Sequence, residues 1–122
     1  MPSRQWRLRI DDVLEAISRI AQYTVGMDFQ TFQADQKTVD AVVRNLEIIG
    51  EAARNVPPDV RAHHPSVPWE GMVGIRNVLI HEYSGVSVPI VWRTIKEDLP
   101  PLVPVLREVL EEKQDDDFPR AA

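Results

Sequence analysis

Apolar residues recur at three- and four-residue steps along most of this chain, and nowhere do they alternate as a half-buried strand would require. From Leu8 to Val25 the set Ile10, Val13, Leu14, Ile17, Ile20, Ala21 and Val25 predicts a first amphipathic helix, closed by Gly26. Asp28 to Gln33 reads as a turn or short helical piece with Phe29 and Phe32 turned inward. Between Asp35 and Asn55 the residues Val39, Val42, Val43, Leu46, Ile49 and Ala53 share one side of a helical wheel, and Asp40, Arg44, Glu47 and Glu51 cluster on the other. That second helix is stopped by Pro57-Pro58, and the connector to Pro68 has room for a short helix. A third helix is predicted from about Trp69 to about Tyr83, ended by Ser84-Gly85. Ser87 suits the N-cap of a fourth through Val91, Trp92 and Ile95. Pro100, Pro101 and Pro104 then break or kink the pattern before Leu102, Val105, Leu106, Val109 and Leu110 resume it. The expected fold is all-α, an up-and-down bundle of four to five helices over residues 1–113, followed by a polar, frayed tail over 114–122.

Composition narrows what such a bundle can do. At 122 residues it is one domain by length. It has no cysteine, so disulfides and thiolate metal sites are excluded. The absence of a signal-peptide-like or membrane-spanning apolar run makes a cytoplasmic protein the expectation. The net charge of −5 is unevenly placed: the segment 108–117 holds six acids against Lys113 and accounts for all of it, leaving the body neutral. Eleven of the fourteen cationic side chains are arginine, the better residue for bidentate phosphate contacts. A long electrostatic track along nucleic acid is therefore disfavoured, whereas a small phosphate-handling site is permitted.

The candidate chemistry lies in Arg76-Asn77-Val78-Leu79-Ile80-His81-Glu82-Tyr83. On a straight helix Tyr83 stands about 20° from Arg76, while His81 stands roughly 140° away, grouped with Asn77. One copy therefore splays its arginine and histidine, and a two-fold dimer is the expected remedy, because it brings two such segments face to face. In that cleft the guanidinium would bind phosphate oxygens and stabilise charge at a five-coordinate phosphorus. The imidazole would take a proton from a ribose 2′-hydroxyl or give one to the leaving 5′-oxygen, with no cofactor and no metal needed. Blander roles stay open for each residue: Arg76 as a buried stem paired with a glutamate of the second helix, His81 as a cap or core histidine, Tyr83 as an amphipathic plug at a helix end.

Other features are weaker. Glu47 and Glu51 read as a solvated face rather than an acid pair. His63, His64 and His81 lack metal-ligand spacing. Arg4, Arg7 and Arg9 around Trp6 fit either an RNA-stacking arm or, more simply, a disordered or solvated N-terminus.

The segment from Arg76 to Tyr83, an arginine, four residues, a histidine, one residue and a tyrosine, resembles the signature of the HEPN superfamily of nucleotide-binding and ribonuclease domains. With Leu46 to Ala52, His64-Pro65, Pro68-Trp69, Val91-Trp92 and Leu99-Pro100 in order around it, the chain resembles more narrowly the HepT toxins of the HepT and MntA toxin-antitoxin modules, of type VII. This resemblance implies an all-helical homodimer with a metal-independent RNase cleft, Arg76 and His81 as the catalytic pair and Asn77 as support. It also implies a small nucleotidyltransferase antitoxin that transfers AMP from ATP to Tyr83, placing negative charge beside Arg76 and switching the toxin off. The competing expectation, of a different class, is a non-catalytic helical adaptor that binds a nucleotide or a nucleotidyltransferase and uses Arg76 only as a phosphate clamp.

Overall fold

The structure is a computed structural model in which residues 3–79 and 86–111 are described. All regular structure among them is helical: α1 Ser3–Tyr23, α2 Phe29–Ala34, α3 Gln36–Arg54, α4 Pro58–His63, α5 Trp69–Leu79, α6 Val88–Arg93 and α7 Leu102–Glu111, with a π-helical turn Thr94–Asp98 after α6. Among the described residues seven α-helices stand where periodicity predicts four to five. The additions are the six-residue α2 and α4, too short for their period to be read but placed where a short helical piece was expected.

Local chemistry sets the boundaries. Gly26, at φ 76°, takes the left-handed conformation that lets the chain leave α1. Asp28 caps α2 by accepting from the Thr31 amide at 2.8 Å and hydroxyl at 2.7 Å, and Asp35 caps α3 by accepting from the Thr38 amide at 3.1 Å. The first hydrogen bonds hold the Asp28 carboxyl below its ordinary 3.8, and the Thr38 amide does the same for Asp35. A carboxyl whose value is lower folded than unfolded stabilises fully above the unfolded value and loses that contribution as pH falls through the folded one. Asp35→Ala should therefore lower the melting temperature at neutral pH, and its gap to the wild type should narrow as the pH drops below 3.8. Thermal melts of both proteins across pH 2.5 to 7 check this.

α3 lies between α1 and α5, while α7 packs on α1. Its face Val39, Val42, Leu46, Ile49, Ala52 and Ala53 is buried, and burying a side chain the size of Leu or Ile contributes about 1.5–3 kcal/mol. At its C-terminus Arg61, carried by α4, donates to the carbonyls of Ala53, Arg54 and Val56, each at 3.1 Å. A cation there satisfies orphan acceptors and suits the helix dipole.

The prolines were expected to break or kink the helical pattern, and the structure shows how they do so. Ser87 occupies the N-cap of α6 without a side-chain hydrogen bond. Pro100 and Pro101 have no N–H to give, and the Leu99 amide reaches back five residues to the Thr94 carbonyl at 3.2 Å, so the helix widens into a π-turn before α7 begins. Pro104 falls within the first turn of α7, where its missing N–H costs nothing.

Trp6 requires a correction. It is neither a stacking arm nor part of a solvated terminus: α1 begins at Ser3, and Trp6 is 2% exposed, with its ring centroid 6.1 Å from that of buried His64 and the Arg7 guanidinium 5.0 Å over its face. Arg7 also donates to the Leu110 carbonyl at 2.9 Å, tying the start of α1 to α7. Arginines flanking a tryptophan look like solvated sequence, but only neighbours distant in the chain decide that the ring is core. The predicted tail over 114–122 lies outside the described residues.

Candidate functional site

α5 buries Trp69, Met72, Ile75 and Leu79 at helical spacing and leaves Arg76 and Asn77 exposed. Trp69 is fixed at the helix start by donating its indole N–H to the His64 carbonyl at 3.0 Å. Opposite Arg76 on α3 stands Gly50. A methyl group there would lie 3.5 Å from both the Cβ and the backbone nitrogen of Arg76 and 3.6 Å from the Val73 carbonyl oxygen, ordinary contact distances that place the base of Arg76 directly against the α3 surface.

Arg76 lines a cleft of about 480 Å³ between α1, α3 and α5, walled also by Arg9, Asp12, Arg44, Glu47, Ile48, Glu51, Ala52, Asn55 and Leu79. Three guanidiniums and three carboxylates face it, and the pairing among them is uneven. Arg9 bonds Asp12 at 3.1 Å, Arg44 approaches Glu47 at 3.5 Å, and Glu51 is 3.9 Å from Arg54, all within single helices. Among the described residues Arg76 makes no ion pair. A glutamate of α3 was one expected partner; Glu47 and Glu51 do line the same cleft, but their ion pairs are made along α3. Both glutamates are exposed, in keeping with the predicted solvated stripe.

Of the motif, Arg76 and Asn77 are therefore placed on the accessible side of α5, whereas His81 and Tyr83 lie outside the described residues, as does the predicted 140° splay. His64 is 6% exposed and belongs to the core contact with Trp6, its ring 5.9 Å from that of His63. Among the described residues no group of three His, Cys, Asp or Glu side chains is arranged to hold a metal ion, and no helix is long and apolar enough to cross a membrane. Sequence reasoning missed that Arg9, Asp12 and Arg44 share the Arg76 cleft. No spacing within a single helix signals it, because the three residues lie on two different helices that only packing brings to α5.

Fold and site together define a helical domain that carries a cleft lined by three arginines and three carboxylates. The profile of the ribonuclease HepT-like family matches residues 13–109, and the chain belongs to that family. It is 47% identical over 93 residues to a probable ribonuclease HepT of Thermococcus cleftensis, covering 76% of this chain and 84% of that protein. It is also 37% identical over 117 residues to a candidate RNase of Methanocaldococcus jannaschii, covering 96% and 97% of the two chains, and 40% identical over 100 residues to another from the same organism, covering 82% and 92%. No solved structure matches the chain.

Proposed function

We propose that this protein is a metal-independent ribonuclease, the cytoplasmic toxin of a toxin-antitoxin pair, acting as a homodimer whose paired α5 segments form the RNA cleft. The observation that carries this reading is Arg76: exposed, at a cleft, and without an ion pair among the described residues, while the neighbouring cations Arg9 and Arg44 are each matched to a carboxylate. A permanently charged planar fork so placed is free to take up phosphate. The family membership and the names of the relatives supply the substrate class.

In this reading a ribose 2′-oxygen attacks the adjacent phosphorus as the 5′-oxygen leaves. His81 of one copy removes the 2′-proton, its counterpart supplies one to the leaving oxygen, Arg76 holds the charge gathering on the phosphorus oxygens, and Asn77 supports the site. DNA lacks the internal nucleophile and is no substrate. Tyr83, one residue beyond Glu82 in the same motif, is the neutralisation point: its phenol oxygen attacks the α-phosphorus of ATP on a minimal nucleotidyltransferase antitoxin, pyrophosphate leaves, and the tyrosyl-AMP adds about one negative charge near Arg76.

The test is co-expression with and without the partner nucleotidyltransferase, followed by intact mass and an RNA cleavage assay. Wild-type protein should inhibit growth and cut RNA when alone, and carry AMP on Tyr83 when the partner and ATP are present. His81→Ala should fold, stay harmless and leave RNA intact. Wild-type protein that is dimeric, unmodified and inert toward RNA would refute the reading, and partner binding that survives His81→Ala with no cleavage by the wild type would replace it with the adaptor.

A further inference from the structure

Three helices each deliver one arginine to a single cleft: Arg9 from α1, Arg44 from α3 and Arg76 from α5. The first two are neutralised by acids three residues ahead on their own helices, Asp12 at 3.1 Å and Glu47 at 3.5 Å. Neither pair joins two elements, so neither staples the fold. The side chains are well hydrated as well, Arg9 and Asp12 being 41% and 47% exposed, Arg44 and Glu47 70% and 49%. Exposed pairs of this kind contribute little in water, whereas a guanidinium on a phosphate makes stronger, charge-assisted and often bidentate hydrogen bonds. An entering phosphodiester can therefore take the arginine from its carboxylate, and the carboxylate stays solvated.

From this we infer that Arg9 and Arg44 are positioning residues that grip RNA phosphates flanking the one held by Arg76, and that Asp12 and Glu47 keep the two guanidiniums masked until the strand arrives. The inference rests on the ribonuclease reading and extends it, giving the cleft a short backbone track of three arginines. A track this short accords with a body of zero net charge, which disfavours a long one. Masking also sets a threshold: a lone anion in solution competes poorly with two resident carboxylates, while a strand anchored at Arg76 presents its neighbouring phosphates at high effective concentration.

A binding titration with a 2′-O-methylated RNA oligonucleotide, which lacks the internal nucleophile and stays intact, tests this at several salt concentrations on the full chain. Arg9→Gln and Arg44→Gln should each weaken binding and reduce the slope of log K against log salt by about 0.7, the value for one lost contact on a single strand. Asp12→Asn and Glu47→Gln should tighten binding. The opposite signs are decisive, because a merely structural pair would lose binding, if at all, when either partner is removed. If the folded arginine variants keep the wild-type slope, or the acid variants weaken binding, in a protein that still cuts RNA, the track is wrong and the ribonuclease reading stands. If the wild type binds no oligonucleotide and cuts no RNA, both fall together.

Discussion

Arg76→Ala should reduce the rate of RNA cleavage by about two to three orders of magnitude while leaving the fold intact. The rate loss follows from the role: removing one preorganised donor to a developing oxyanion costs about 10²–10³ in kcat. Preservation of the fold follows from the position. Arg76 is exposed, it makes no ion pair among the described residues, and the part of it that packs on α3 at Gly50 is the Cβ, which alanine retains. Surface changes of this kind usually move stability by no more than about 0.5 kcal/mol. Arg76→Lys keeps the charge but not the planar fork and should recover only part of the rate. Cleavage kinetics beside a thermal melt separate the outcomes. Near-normal turnover by Arg76→Ala would remove the arginine from the mechanism, and a large drop in melting temperature would show it to be a structural residue instead.

Replacing Trp6 with alanine should destabilise the protein by about 3–5 kcal/mol, the usual cost of emptying an aromatic site in a packed core. For a domain whose whole stability is on the order of 5–15 kcal/mol, that is enough to leave it marginal. The ring is 2% exposed, lies against His64 and is covered by the Arg7 guanidinium, which itself ties α1 to α7, so the loss propagates into two helix contacts. Trp6→Phe, which keeps an aromatic plug, should cost distinctly less. Denaturant unfolding measures both. A Trp6→Ala protein as stable as the wild type but weaker in binding RNA would restore the stacking-arm interpretation that the buried ring now excludes.

These two residues mark the boundary of what could be read in advance. α3 was legible almost to the residue, because a long amphipathic stripe, Asp35 ahead of it and Pro57-Pro58 behind it all agree locally. Arg76 and Asn77 were legible as candidates through their motif, and both stand on the accessible side of α5. Trp6 was misread because its local neighbours are arginines, whereas the ring belongs to the core and lies beside His64, far along the chain. The π-turn after α6 was legible only as a break or kink, since three prolines in five positions signal an interruption but do not say whether the chain stops or merely widens its hydrogen bonding.

The sequence by itself determined the long helices, the neutral body and the arginine-to-tyrosine motif, which depend on composition or on residues within a few turns of one another. Only the tertiary structure decided that Arg9 and Arg44 face the same cleft as Arg76, each matched to its own acid, and that Trp6 is core. The physical reason is that the way α1 and α5 lie on α3 is set by side chains packed between helices, and residue spacing along any one helix carries no information about that arrangement.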